Sequence, residues 1–248
     1  MIVSLPLSTA GCTEAMEKES KDVQAVSEAA KELAPLGRDL VQAGTDLCQW
    51  FGDILGTAPR DAVGIILTDP LAHLRVRFGA AWMRRTREIL KEKGVNSVEP
   101  VSPELLIDAY QGASLNSDEK IRELWARLMA AALDPDRDVS LNRTLIETLK
   151  QFDPVDALLF QAISTLAFQN NSIGEEVVII DREAWSTIRQ VIELRSGKHF
   201  RPTQIHLARQ KLVKIGCLGS RQASKYLDEE FFLTTLGAEL WIAVRNDV

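Results

Sequence analysis

The sequence has few of the residues that most often build metal sites and nucleophiles. It contains three cysteines and three histidines in 248 residues. Cys12, Cys48 and Cys217 lie far apart and no CxxC pair occurs, which predicts neither a disulfide framework nor a zinc site. Scattered thiols are typical of a reducing compartment, so we expect a cytoplasmic protein.

The placement of the histidines and the lack of catalytic motifs also argue against a metal site or a catalytic site. His199 and His206 stand seven residues apart across a proline with no cysteine nearby, and His73 stands alone, so we interpret all three as surface or helix-end residues. No glycine-rich phosphate loop, GxSxG or HExxH pattern occurs. We therefore predict no metal, no cofactor and no enzymatic activity.

Long apolar runs are also missing. A membrane span needs about 18 or more apolar residues, and no stretch approaches that length. The helix predicted from Arg38 to Leu55 has a polar face with Asp39, Asp46 and Asp53, which anionic lipid would repel. The pattern favours a core helix, and a membrane-acting toxic effector that uses residues 38–67 stays as an alternative.

The sequence does contain a series of amphipathic helices with clear start signals. From Pro70 to Lys93 the apolar residues recur at helical spacing, between an N-terminal proline and Gly94. The following helices have capping residues at their starts, at Ser102, Asp118, Asn142 and Asp153. These signals predict a mainly α fold with a helical bundle over residues 37–151, preceded by a poorly structured or exposed helical segment over 1–36.

Beyond residue 152 the element order changes. We predict helix 155–167, strand 176–180, helices 181–195 and 202–215, strand 217–219, a polar turn, strand 231–234 and helix 236–244. This order is typical of a winged helix-turn-helix with a small β-hairpin as its wing. The sequence thus predicts a C-terminal winged-helix-like domain over residues 152–248.

The third helix and the wing of this domain are basic and lack acidic residues from Arg195 to Lys225. In a winged helix these two parts meet DNA, although many such domains bind protein instead. We name the following as residues that contact nucleic acid or a partner: Arg201, Gln204, Arg209, Lys211, Lys214, Arg221 and Lys225. An idle or protein-facing surface is the competing interpretation.

A second basic region is the helix from Pro70 to Lys93, whose polar faces have seven cations. Arginines on several faces favour pairing with acidic neighbours inside the bundle over a ligand site. The cations are Arg75, Arg77, Arg84, Arg85, Arg87, Lys91 and Lys93.

Three segments of the chain are specific enough to suggest a family: Leu124 to Pro135, Leu145 to Leu159 and Leu233-Thr234-x-x-Gly237. In these segments the chain resembles the abortive-infection alpha family, a group of bacterial proteins linked to phage defence. These motifs consist of core positions and helix caps, so the resemblance transfers no catalytic residue. It covers about residues 70–244.

The resemblance implies a non-enzymatic component of a bacterial antiviral, abortive-infection system that acts through protein contacts. We expect a protein partner or self-association. The alternative is a winged-helix DNA-binding regulator that uses the C-terminal basic surface, with membrane contact the least favoured.

Overall fold

The computed structural model describes residues 39–54 apart from 40 and 48, 72–169, 182–222 and 229–245. The chain divides into two compact units, Met1–Thr45 and Asp46–Val248. In the first unit, residues 39 and 41–45 are helical. There the Thr45 hydroxyl donates a hydrogen bond to the Val41 carbonyl oxygen at 2.9 Å.

The second unit is mainly helical, with one antiparallel hairpin near its C-terminal end, which confirms the predicted fold class. It begins with a short helical stretch over the described residues of 46–54. The elements that follow are α1 (Ala72–Glu92), α2 (Pro103–Ser114), α3 (Glu119–Leu133), α4 (Arg143–Lys150), α5 (Pro154–Gln169), α6 (Arg182–Ser196), α7 (Pro202–Lys214), β1 (Leu218–Gln222), β2 (Glu229–Leu233) and α8 (Thr235–Val244).

The predicted caps start three of these helices. A side-chain oxygen of each cap accepts a hydrogen bond from a backbone N–H of the first turn, which would otherwise have no partner. The pairs are Ser102 with Leu105 at 3.3 Å, Asp118 with Lys120 at 2.9 Å and Asn142 with Leu145 at 2.9 Å. Local sequence therefore fixes where α2, α3 and α4 begin.

Helix α3 is the centre of the fold. It packs against α1, α2, α5 and α8, and ten of its fifteen residues are buried. Alanines at 126 and 130–132 occupy faces where larger side chains would hold the neighbouring helices apart. Trp125 and Leu124 fill the remaining space and are fully buried.

Two glycines allow large aromatic rings to lie directly on helix backbones. A Cβ at Gly112 of α2 would come within 2.5 Å of the Trp125 ring. At Gly79 of α1 a Cβ would come within 2.4 Å of the Tyr110 ring. Any larger residue at these positions would overlap a buried ring, so the two glycines set the spacing of α1, α2 and α3.

The helical stretch 46–54 belongs to this core. Leu47, Trp50, Phe51 and Ile54 are buried, and the Trp50 ring meets the Trp82 ring of α1 edge-on at 5.2 Å. The core interpretation of these residues is thereby supported, while residues 55–67 of the proposed membrane segment lie outside the described part. Among the described residues, no helix has the length and apolar character required to cross a membrane.

The C-terminal region has the predicted order of helices and hairpin. Helix α5 packs against α6 and α7, and α7 leads into β1. Strands β1 and β2 are antiparallel, with register from Leu218 opposite Leu233 to Gln222 opposite Glu229. The strand predicted at 176–180 lies outside the described residues.

Contacts at the junction of α7, the hairpin and α8 explain why glycine occupies positions 216 and 237 and why threonine occupies position 234. Gly216 has φ 84°, a conformation that favours glycine, and ends α7. The Thr234 hydroxyl donates to the Cys217 carbonyl oxygen at 3.1 Å and accepts from the Gly237 N–H at 3.0 Å. A Cβ at Gly237 would strike the Cys217 carbonyl oxygen, so only glycine fits.

Two arginines attach the last helix to the bundle. Arg127 of α3 donates to the Val244 carbonyl oxygen at 3.4 Å, and Arg137 donates to that of Ile242. These carbonyls lie in the last turn of α8, where no helical N–H can reach them. Helices on both sides of Gln151 thus pack together, and the domain boundary placed there stays a prediction.

An ion-pair network joins α1 to α3. Arg85 donates through Nε and Nη2 to the two carboxylate oxygens of Glu123, at 2.7 and 3.1 Å. Arg127 Nε donates to Glu123 at 2.8 Å. Burial raises the pKa of Glu123, but the hydrogen bonds and charges of both arginines outweigh this and lower its pKa.

We expect Glu123→Gln to destabilise the protein at pH 7 and to reduce the pH dependence of stability in acid. A carboxyl whose pKa falls on folding adds stability above its ordinary value of 4.5 and loses it as pH drops through the folded pKa. Urea unfolding between pH 3 and 7 measures both effects. Exposed Glu99→Gln is the matched control, and parallel pH curves for wild type and Glu123→Gln would contradict the network.

We expect Gly112→Ala to destabilise the protein, although alanine favours a helix over glycine by about 1 kcal/mol. Overpacking costs about 1–3 kcal/mol, and the new methyl would overlap the Trp125 ring. In a Trp125→Leu background the same change should be neutral or stabilising. Urea unfolding of the wild type, the two single variants and the double variant gives the coupling free energy between positions 112 and 125. An equal cost of Gly112→Ala in both backgrounds would show that the Trp125 ring does not obstruct the new methyl.

Candidate interaction surface

Helix α7 contains most of the residues predicted to contact nucleic acid or a partner. Its N-terminus is closed by Gln204, whose side-chain oxygen accepts from the Arg201 backbone N–H at 2.9 Å. Its buried face consists of Ile205, Ala208 and Leu212. Gln204 therefore has a local role in the first turn, and the Arg201 side chain remains exposed.

The cations of α7 do not share one face. Successive residues of a helix are rotated by about 100°, so Arg209 and Lys211 are about 200° apart and lie on opposite edges of α7. Lys214 lies between these edges, on the exposed side. Arg209, Lys211 and Lys214 are neighbours in the sequence but thus lie on three different sides of α7.

Lys211 is bound within the fold. Its ammonium lies 2.6 Å from Asp153 and 2.7 Å from Asp156, at the start of α5. The Asp156 side chain is 3 % exposed and also accepts from the Asp153 backbone N–H at 2.8 Å. Burial lowers the pKa of Lys211, but the hydrogen bonds and charges of the two carboxylates outweigh it, and the pKa is raised.

Arg209 is held between aromatic rings on the other edge. Its guanidinium carbon is 4.5 Å from the centre of the Phe231 ring and 5.2 Å from that of Trp185. Its Nη2 donates to His206 Nδ1 at 2.8 Å, which makes Nδ1 the acceptor in that bond. The guanidinium is thus fixed between α6, α7 and β2.

The outward face of α7 has a mixed character. Thr203, Leu207, Gln210 and Lys214 are exposed there, and the Leu207 side chain is 63 % exposed.

The remaining two predicted contact residues belong to the wing. Arg221 lies in β1 opposite Glu230, but its side chain and all of Lys225 are outside the described part.

A groove of about 770 Å³ runs between α6 and α7. Trp185, Pro202 and Ile205 give it apolar walls, and Arg189, His206 and Arg209 give it polar ones. The size is in the range of ligand-binding clefts. Arg209 lies over the Trp185 ring and Phe231 meets the same ring edge-on at 5.7 Å, so two side chains of the protein already contact this aromatic wall.

Glu193 organises the turn between α6 and α7. Its Oε1 accepts from Arg189 Nε and from His199 Nδ1, both at 3.0 Å, and from the Phe200 N–H at 3.3 Å. The hydrogen bond from Arg189 is the main reason that the pKa of Glu193 is lowered. His199 thus lies in the turn after α6 beside Glu193, and His206 is an exposed residue within α7 beside Arg209.

The surroundings of Cys217 and Lys211 make both side chains poor nucleophiles. Burial raises the pKa of the Cys217 thiol to about 12, so thiolate is scarce at neutral pH. The raised pKa of Lys211 keeps its amine protonated. Among the described residues, no three His, Cys, Asp or Glu side chains come together as a metal site.

The sequence reasoning missed Leu207, Trp185 and Glu193. Leu207 had a usable signal, because the helical period places it opposite the apolar stripe of Ile205, Ala208 and Leu212. Trp185 and Glu193 had none, since their contacts with α7 and β2 depend on how α6 packs.

The model of the family described as abortive infection alpha matches residues 79–244. Comparison with curated proteins and with solved structures finds no match.

We expect Lys211→Ala to cost about 1–3 kcal/mol of unfolding free energy, because it removes a hydrogen-bonded charge from buried Asp156. Lys214→Ala, an exposed lysine one turn away, should change stability by less than about 0.5 kcal/mol. Urea unfolding at pH 7 measures both. Equal stabilities would show that Lys211 is available to an external partner.

Proposed function

The chain belongs to the abortive infection alpha family, and we propose that it is a non-enzymatic component of abortive-infection defence that acts through contacts with a partner protein. The α7 face defined by Thr203, Leu207, Gln210 and Lys214 is the proposed contact. We expect this action in the cytoplasm, on the basis of the cysteine pattern.

The observation that carries the proposal is the exposure of Leu207 at 63 % on the outward face of α7. Its neighbours on that face, Thr203 and Gln210, are uncharged. The centre of a protein–protein interface is depleted of charged residues, and an exposed apolar side chain with uncharged polar neighbours has this character. A partner would cover Leu207 and remove its apolar surface from water.

The DNA-binding alternative has less support on this surface. A helix that reads DNA needs its cations near the groove it enters. Lys211 is paired with two aspartates of α5, and Arg209 is fixed between two rings. Of the three cations of α7 itself, Lys214 alone is exposed without an ion pair to a described residue.

The proposal includes the absence of enzymatic activity, which is supported by the surroundings of the Cys217 thiol and the Lys211 amine. A catalytic thiol or amine needs a pKa near or below the working pH. The pKa values of Cys217 and Lys211 are instead both raised, so neither group is prepared for chemistry.

The test is the plating efficiency of a broad phage panel on cells with the wild-type gene, with Leu207→Glu or without the gene. The wild-type gene should lower plating, and Leu207→Glu should restore it, because a buried charge at an interface opposes binding. Leu115→Glu is the matched control, since Leu115 is 59 % exposed at the end of α2, and it should keep protection.

Protein levels and thermal unfolding must match among the variants. Unchanged plating across the panel with the wild-type gene would overturn the defence role. Full protection by Leu207→Glu would leave that role standing but remove the α7 face as the contact.

A further inference from the structure

Helix α1 presents a straight row of cations to solvent. Arg77, Arg84 and Lys91 are seven residues apart and all three are exposed. Residues at this spacing drift by only about 20° per step around a helix, so they lie on one face. At 1.5 Å per residue, neighbours in the row are about 10.5 Å apart and the row is about 21 Å long.

The row differs from the other cations of α1. Arg85 is bonded to Glu123, Glu88 and Glu92, and Arg87 lies 3.9 Å from Asp53. No residue of the described part forms an ion pair with Arg77, Arg84 or Lys91. The sequence favours ion pairs within the protein for the cations of α1. Such pairs thus account for Arg85 and Arg87 but not for the row.

The surroundings of the row indicate the chemistry of its partner. A protein interface or a lipid surface would require exposed apolar side chains beside the charges. The exposed large apolar residues of the described part are Val41, Val98, Leu115, Leu194 and Leu207, none of which lies on α1. Val98 lines a cleft with Lys91, so exposed apolar surface is found at one end of the row and not along it. A phosphate backbone needs only charge and hydrogen-bond donors, and arginine binds phosphate through two parallel bonds.

We propose that Arg77, Arg84 and Lys91 form a surface that binds the phosphate backbone of nucleic acid without sequence preference. Duplex DNA carries one phosphate charge per about 1.7 Å of its axis, so a row about 21 Å long faces a dense array of phosphates in which each of the three cations contacts one. The net charge of −6 opposes the approach of any polyanion, so binding depends on the local positive charge of the row. The surface is independent of the α7 face proposed for protein contact.

The test is fluorescence anisotropy of a labelled 20-base-pair duplex of mixed sequence with the full chain, between 50 and 200 mM salt. Three phosphate contacts predict a slope of log affinity against log salt of about −2.7, or a loss of about 40-fold over this range. The triple variant Arg77→Ala, Arg84→Ala, Lys91→Ala should lose at least about tenfold in affinity at 50 mM salt, with a slope near zero.

Two further variants make the result specific. The charge-keeping variant Arg77→Lys, Arg84→Lys, Lys91→Arg should keep the slope. The matched control Arg195→Ala, Arg201→Ala, Lys214→Ala removes two arginines and one lysine from the C-terminal basic surface, and should leave binding unchanged.

Thermal unfolding checks that each variant is folded. The proposal is overturned by absence of duplex binding at 50 mM salt, by binding that survives in the α1 variant, or by loss in the C-terminal control alone. Binding to phosphatidylserine vesicles but not to the duplex would also overturn it, by assigning the row to a membrane.

Discussion

The burial of α3 is the constraint on which the rest of the structure depends. The helix is covered by α1, α2, α5 and α8, so elements from both halves of the chain share one core. A helix buried on several sides must have small residues where its neighbours approach, and Ala126 and Ala130 meet this requirement. Gly112 extends the same principle to α2, where the Trp125 ring lies on the backbone.

That central burial also determines what the charges do. Once α1 and α8 are pressed against α3, polar groups near the contacts need partners, because an unpaired buried charge is costly. Arg85 and Arg127 share Glu123, and Arg127 also reaches the last turn of α8. Lys211 satisfies buried Asp156 in the same way between α7 and α5. Cations used to hold helices together are unavailable to an external partner.

The two surfaces proposed for binding consist of side chains that this internal pairing leaves exposed. On α7 the remainder includes an exposed leucine with polar neighbours, a surface suited to protein contact. On α1 it is a row of three cations with no exposed large apolar residue on the same helix, a surface suited to phosphate. The sequence offers the C-terminal basic segment as a contact for nucleic acid or a protein partner, and it favours internal pairing for the cations of α1. The packing holds Lys211 and Arg209 of α7 within the fold, and it leaves Arg77, Arg84 and Lys91 of α1 exposed without ion pairs to described residues.

The sequence by itself determined the fold class, the helix starts at Ser102, Asp118 and Asn142, the end of α7 at Gly216 and the hairpin that follows it. The helix starts and the end of α7 rest on hydrogen bonds between residues at most five apart or on one residue's backbone conformation, and such terms are encoded locally. The hairpin joins strands close in sequence, with paired residues from 7 to 15 apart. Only the tertiary structure decided that Lys211 meets Asp156, that Arg209 stacks on Phe231 and that Arg127 reaches Val244. These partners are 55, 22 and 117 residues apart in the chain. Which charges meet depends on how amphipathic helices are arranged around α3, and a helical pattern specifies a buried face without specifying its neighbour.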